Sequence, residues 1–163
     1  MRSLRKIPPV CLVISLLRLI VGKLRFSKKF IGDSVKMYDG REFIIFRHIR
    51  MHPLTPNPEN AVFIVNFKFA KLSHKANKIA SILPMLLITG FPGFMTKMYA
   101  VNLETGYWQG MYQWESLKHL EEYKKSFVFR MMNKRAIKES IQSYDITNQQ
   151  LTNYINSITT NNL

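Results

Sequence analysis

Cysteine is nearly absent from this sequence: Cys11 stands alone among 163 residues. An internal disulfide is excluded, and a cysteine-built zinc site has no ligand set. Histidine is scarce too, with His48, His52, His74 and His119 the full set, and no two of them share a face of an expected helix. No metal site is expected from them. The chain lacks a Gly-rich phosphate loop, a nucleophile elbow and a metalloprotease helix, so nucleotide chemistry and a bound cofactor are not expected. It also lacks a long apolar run. The longest, Ile7 to Gly22, has 16 residues and is interrupted by Arg18, whereas a bilayer core takes about 20. Nor does Lys23-Leu24-Arg25-Phe26 offer the small-residue cleavage site of a signal peptide.

Acidic residues are few, 10 against 24 Lys and Arg, and the imbalance is concentrated. Residues 1–36 hold nine basic side chains and one acid, Asp33, for a net +8 of the total +14. A basic segment merged with an apolar run points to the anionic face of a membrane rather than to nucleic acid. For residues 7–22 an interfacial or re-entrant anchor is the first expectation, a spanning helix the second, and a buried helix covering the domain the third. The chain is accordingly expected at the cytoplasmic face of a membrane, with the cytoplasm as the alternative.

What the sequence does have is core material: 47% hydrophobic residues and 12% aromatics in a length that suits one domain with extensions. Arg41 to Arg50 has strand composition, but His52 to Asn60 carries three prolines and reads as a linker or wrapped arm. The core begins at Ala61. Ala61 to Phe69 is a strand; Ser73 caps a helix whose apolar face is Ala76, Ile79, Ala80, Leu83 and Leu87, with a kink at Pro84. Phe94 to Val101, a turn over 102–106 and Tyr107 to Glu115 make a hairpin. Ser116 caps a second helical stretch, and Glu139 to Ile146 is a fourth strand. The order is βαββαβ, an α+β ferredoxin-like arrangement. The expected organisation is a membrane-associating segment over 1–30, an extension and linker over 31–60, the domain over 61–146 and a tail helix over 147–163.

Alternation assigns the sheet faces. Phe63, Val65, Phe67 and Phe69 go beneath the helices, because a buried unpaired Lys is costly; Asn66 and Lys68 therefore take the opposite, open face. By the same parity Trp108, Gly110, Tyr112 and Trp114 lie under the helices, while Tyr107, Gln109, Met111 and Gln113 join the open face. Lys97 and Tyr99 are assigned to the open face as well, and Phe94, Thr96 and Met98 to the covered one. Amide, amine and phenol groups among apolar side chains describe a pocket for an apolar or aromatic small molecule.

The segment PGFMTKMYAVNLETGYWQGMYQWESLKHLEEY resembles the YdhR-like mono-oxygenase family of the dimeric α+β barrel superfamily, through Pro92, Gly93, Phe94, Lys97, Tyr99, Gly110, Tyr112 and Trp114. The resemblance covers about 61–158 and implies a homodimer whose sheets close face to face, each open face becoming barrel interior. It also implies cofactor-independent oxidation of an aromatic or enolisable compound. In that reading Asn66, Lys68, Lys97 and Tyr99 are the catalytic candidates, a lysine ionising the substrate, and Tyr107, Gln109, Met111 and Gln113 bind it. Haem-degrading relatives place an Asn on the first strand and a Trp and a His ten residues apart near the second helix. Asn66 fits the first position, but Tyr123 and Asn133 stand at that spacing, so the iron ligand is missing and haem degradation is not expected. A non-catalytic ligand-binding or assembly module is the main alternative. RNA binding comes third, because TGYWQGMYQ lacks the basic-Gly-aromatic pattern of an RNA-recognition strand.

Overall fold

The computed structural model describes residues 7–37, 39–55 and 57–159; Met1 to Lys6, at the head of the basic segment, lie outside the described residues. Its elements are α1 (Pro8–Ile20), β1 (Leu24–Phe26), β2 (Ser34–Lys36), β3 (Glu42–Met51), β4 (Ala61–Phe67), α2 (His74–Ala80), α3 (Ile82–Thr89), β5 (Phe94–Val101), β6 (Trp108–Trp114), α4 (Leu117–Lys124), α5 (Phe127–Arg135), β7 (Gln142–Thr147) and α6 (Leu151–Ile158). The sheet is antiparallel, with neighbours in the order β5, β6, β4, β7, the strand order of a ferredoxin-like domain. β3 extends it beyond β5, and β1 and β2 share the outer edge of β3. Residues 31–60 are thus more than a linker, since β3 pairs along β5 from Ile44↔Val101 to Arg50↔Thr96.

Local chemistry explains the helix ends. Pro8 opens α1, where a missing N–H costs nothing, and Gly22, at φ +70°, follows its C-terminus. Ser73 caps α2 by accepting from the Ala76 N–H, and Ser126 caps α5 through Phe129. Ser116 does not cap α4 with its side chain; its hydroxyl meets His119 Nδ1 instead. The helix expected to bend at Pro84 breaks at Ser81, whose hydroxyl donates to the Lys78 carbonyl, and Pro84 falls harmlessly in the first turn of α3. That break turns the expected apolar face: Ile79 and Leu83 are exposed, while Asn77, Met85 and Ile88 are buried.

The sheet is covered on both sides. Helices α1, α3, α4 and α5 cover one face, over Phe63, Val65, Tyr99, Tyr112 and Trp114, with Tyr123 reaching in from α4. On the other face Val62, Ile64, Met98, Ala100, Met111 and, on β3, Phe43 lie beneath Phe30, Val35 and Met37 from the N-terminal arm and Leu151 and Ile155 from α6. The arm and tail are joined where Val35 bridges to Thr159. The face expected to close against a second copy is therefore already covered within the chain, and a face for stacking RNA bases is not open on these strands.

α1 docks on α3. Cys11 and Ser15 are buried there, the Ser15 and Thr89 hydroxyls meet at 2.6 Å, and the Arg18 guanidinium bonds the Thr89 carbonyl at the C-terminus of α3, where its charge complements the helix dipole. No helix among the described residues is long and apolar enough to cross a membrane. The close approach requires Gly90, since a Cβ there would stand 1.8 Å from the Cys11 carbonyl oxygen. Gly90→Ala should push α1 off and destabilise the fold by about 1–3 kcal/mol, the usual cost of overpacking. Urea unfolding together with limited proteolysis within α1 checks this; unchanged stability with α1 still protected would refute the docking.

Candidate active site

Two β-bulges decide which side chains reach the helix-covered face. One lies between Phe94 and Thr96 on β5 and the other between Ile45 and Arg47 on β3. Each adds a residue to its strand and reverses the parity beyond it. Lys97 and Tyr99, expected on the open face, are therefore beneath the helices, and Thr96 and Met98, expected beneath the helices, are on the other side with His48 and the arm. Phe94, which precedes the bulge, stays under the helices as expected. The assignments for β4 and β6 match the structure, because neither strand is interrupted across its seven-residue register.

Lys97 is the centre of the resulting cluster. It is 0% exposed, its Nζ lies 4.0 Å over the Tyr99 ring and 4.3 Å over the Tyr112 ring, and it has no hydrogen-bond partner among the described residues. Burial, with the positive charge of Arg47 as a second cause, holds its amine well below the usual lysine range, which favours the uncharged, proton-accepting form. Burial pushes the phenols of Tyr99, Tyr112 and Tyr123 upward, so they remain protonated. The Tyr99 hydroxyl, like the amine, has no partner among the described residues. Tyr123 stacks on Trp114 at 4.7 Å between ring centroids and lies 5.7 Å from Tyr112.

The surroundings fix this arrangement. Gly110 sits opposite Tyr99 across the β5–β6 pair, and a Cβ on it would come within 2.8 Å of the Tyr112 ring, so glycine leaves the space over which Tyr112 leans. Arg47, brought inward by the β3 bulge, bonds the Ser81 hydroxyl at 2.7 Å and the Lys78 carbonyl at 2.9 Å, and lies over the Tyr99 ring. Arg135 reaches the Ala80 carbonyl and the Asn77 side chain. Two cations thus hold the C-terminal end of α2, where helix carbonyls are left without partners. Two voids of about 10 Å³ flank this cluster, each room for about one water; one touches Lys97 and the other Tyr123 and Asn133. Phe67, Tyr112 and Met132 form the wall between them.

The open-face candidates do something else. Gln113 accepts from the Leu151 N–H at the start of α6, Gln109 donates to Met37 Sδ, and Met111 packs under Leu151 and Ile155, so these three hold the chain's own arm and tail. Tyr107 is sandwiched by Arg41 and by Lys68, whose ammonium lies 4.8 Å from the ring. Asn66 alone faces a sizeable space, a groove of about 760 Å³ between the arm and α6 lined also by Tyr144 and Tyr154, and its side-chain oxygen has no partner among the described residues. The structure separates Asn66 from Lys97 and Tyr99 by the thickness of the sheet. It does bring together Lys97, Tyr99, Gly110 and Tyr112, four residues of the sequence resemblance, with Trp114 on the same face against Tyr123. The sequence reading missed Arg47, Ser81 and His48; a basic pair inside the strand REFIIFRHIR was the available signal.

No family model matches the chain, and no curated protein matches it in sequence. Solved structures do match. A Listeria monocytogenes protein described as an uncharacterized ferredoxin-fold protein related to antibiotic biosynthesis monooxygenases superposes with a TM-score of 0.54 at 8% identity, over 83% of this chain and 89% of its own. The chain has that ferredoxin-like fold. A provisionally assigned monooxygenase from Fusobacterium nucleatum gives a TM-score of 0.48 at 8% identity over 66% of this chain. An anthrone oxidase-like protein gives 0.46 at 13% identity. The chain spans about half the length of these last two, 49% and 53%. At such identities the likeness is one of fold.

A buried amine without a partner is costly to the fold. Lys97→Met should raise unfolding free energy by about 1–3 kcal/mol, the cost of a buried unsatisfied polar group, measurable by urea denaturation at neutral pH; a loss of stability would show that the amine is structurally required. His48 is 2% exposed, and its ring nitrogens meet the Lys29 carbonyl and the Thr96 hydroxyl. Burial, with Arg50 and Lys29 adding repulsion, holds it below its ordinary value despite the Lys29 bond. Its neutral form therefore stabilises the fold fully above the unfolded value of about 6.5 and progressively less as pH falls from there towards the folded value. The unfolding midpoint should drop across that acidic window, and His48→Gln should flatten the drop.

Proposed function

We propose that the chain is a mono-oxygenase-like enzyme acting on an aromatic or enolisable small molecule, in a pocket that opens around Lys97 beneath α3 and α5. The observation that carries this reading is the buried amine of Lys97, which lies between two tyrosine rings with no hydrogen-bond partner among the described residues. A methionine would fill the same place without the desolvation cost, and groups that strain the fold in this way concentrate at functional sites.

The neutral amine is suited to remove a proton from an acidic phenol or from a methylene next to a carbonyl. The ammonium so formed would be stabilised by the faces of Tyr99 and Tyr112, and the Tyr99 hydroxyl is available to donate to the substrate oxygen, where negative charge develops. The resulting carbanion is the electron donor to dioxygen. For an activated methylene, one dioxygen converts CH2 to C=O and releases water, so atoms and electrons balance without a further reductant. The two voids are too small for such a substrate. Met132, on α5, is the unbranched side chain between them, and its displacement would join them into one cavity.

The test is oxygen uptake by the full-length protein with a panel of polycyclic phenols and enolisable aryl ketones. Lys97→Met should lower the rate by at least about 100-fold, the usual contribution of a general base, while keeping the fold, and Met132→Trp should raise KM by filling the gate. Uptake that survives Lys97→Met would refute the assignment. A second reading, a non-catalytic binding module, is favoured by the groove at Asn66. Native mass spectrometry showing a retained small molecule that Asn66→Leu releases, with no oxygen uptake on any substrate, would decide for it.

A further inference from the structure

We propose that the outward face of α1 seats the protein on an anionic lipid bilayer, with the helix lying in the plane of the interface. α1 is apolar all round apart from Ser15 and Arg18, and both of those are engaged with Thr89. A helix of that character is ordinarily buried on every side. Here only one side is. Cys11 and Ser15 are fully buried against α3, while Val13, Leu16, Leu17 and Ile20, at helical spacing on the opposite side, are 55%, 44%, 55% and 80% exposed. Val21 and Phe26 continue this apolar surface into β1, exposed at 63% and 59%.

Charge selects the occupant. Lys23, Arg25, Lys28 and Lys29 follow the helix and are exposed, and the first acid in the sequence is Asp33. Two copies meeting through this face would bring the two basic segments together, whereas anionic headgroups would neutralise them. Length selects the orientation. Thirteen residues span about 20 Å at 1.5 Å per residue, short of the ~30 Å hydrocarbon core, and the docked side of α1 stays with the domain. An apolar stripe with cationic neighbours and a fixed back is the arrangement that rests at the headgroup boundary.

Vesicle flotation of the full-length protein tests this, with phosphatidylcholine alone and phosphatidylcholine mixed with phosphatidylglycerol. The expected result is binding to the mixed vesicles only. It should fall at least about tenfold in Leu17→Gln/Ile20→Gln and also in Lys23→Gln/Lys28→Gln, with circular dichroism and urea unfolding unchanged because all four positions are exposed. Absence of binding would overturn the proposal, as would binding that the Leu17→Gln/Ile20→Gln pair leaves intact. Self-association of the wild type, abolished by that pair, with no vesicle binding would assign the face to a second copy.

Discussion

The structure depends on covering both faces of one sheet. β4 and β6 are buried at every position, including Asn66, Gln109 and Gln113. A ferredoxin-like domain with helices on one face has to solve the other face separately. This chain does so with its own ends, the arm around Val35 and Met37 and the helix α6 through Leu151 and Ile155. The polar residues that remain there serve that closure: Gln113 holds the first turn of α6 and Gln109 holds Met37.

With the open face committed to closure, the unexplained chemistry lies under the helices. Lys97 and its neighbours Tyr99, Gly110 and Tyr112 occupy four positions of the sequence resemblance, and specific structural devices place them. A bulge turns Lys97 and Tyr99 inward, Gly110 makes room for Tyr112, and Trp114 supports Tyr123. Arg47, turned in by a second bulge, contributes charge that opposes protonation of Lys97 and also ties α2 to the sheet. A stability-driven core would not assemble at its centre a lysine and a phenol that both lack a hydrogen-bond partner among the described residues.

The helix layer that covers this cluster is itself held from outside by α1, whose inward side ends at Gly90 and Thr89. α1 therefore links the surface of the molecule to the element above Lys97. One side of the helix is fixed by packing, and the other presents apolar side chains beside a basic segment.

The sequence by itself determined the βαββαβ order of residues 61–146 and the contents of the two faces of β4 and β6, because uninterrupted alternation carries that information. It determined that Asn66 and Phe63 take opposite sides and that a helix follows the last strand. Only the tertiary structure decided where Lys97 goes. A bulge leaves no mark in a period-two pattern, and the rule that a lone lysine avoids burial pointed the wrong way for Lys97. The break at Ser81, the insertion of β3 beside β5 and the covering of the open face were likewise settled by contacts between residues far apart in the chain, Arg47 with Ser81, Ile44 with Val101 and Val35 with Thr159, which no local pattern encodes.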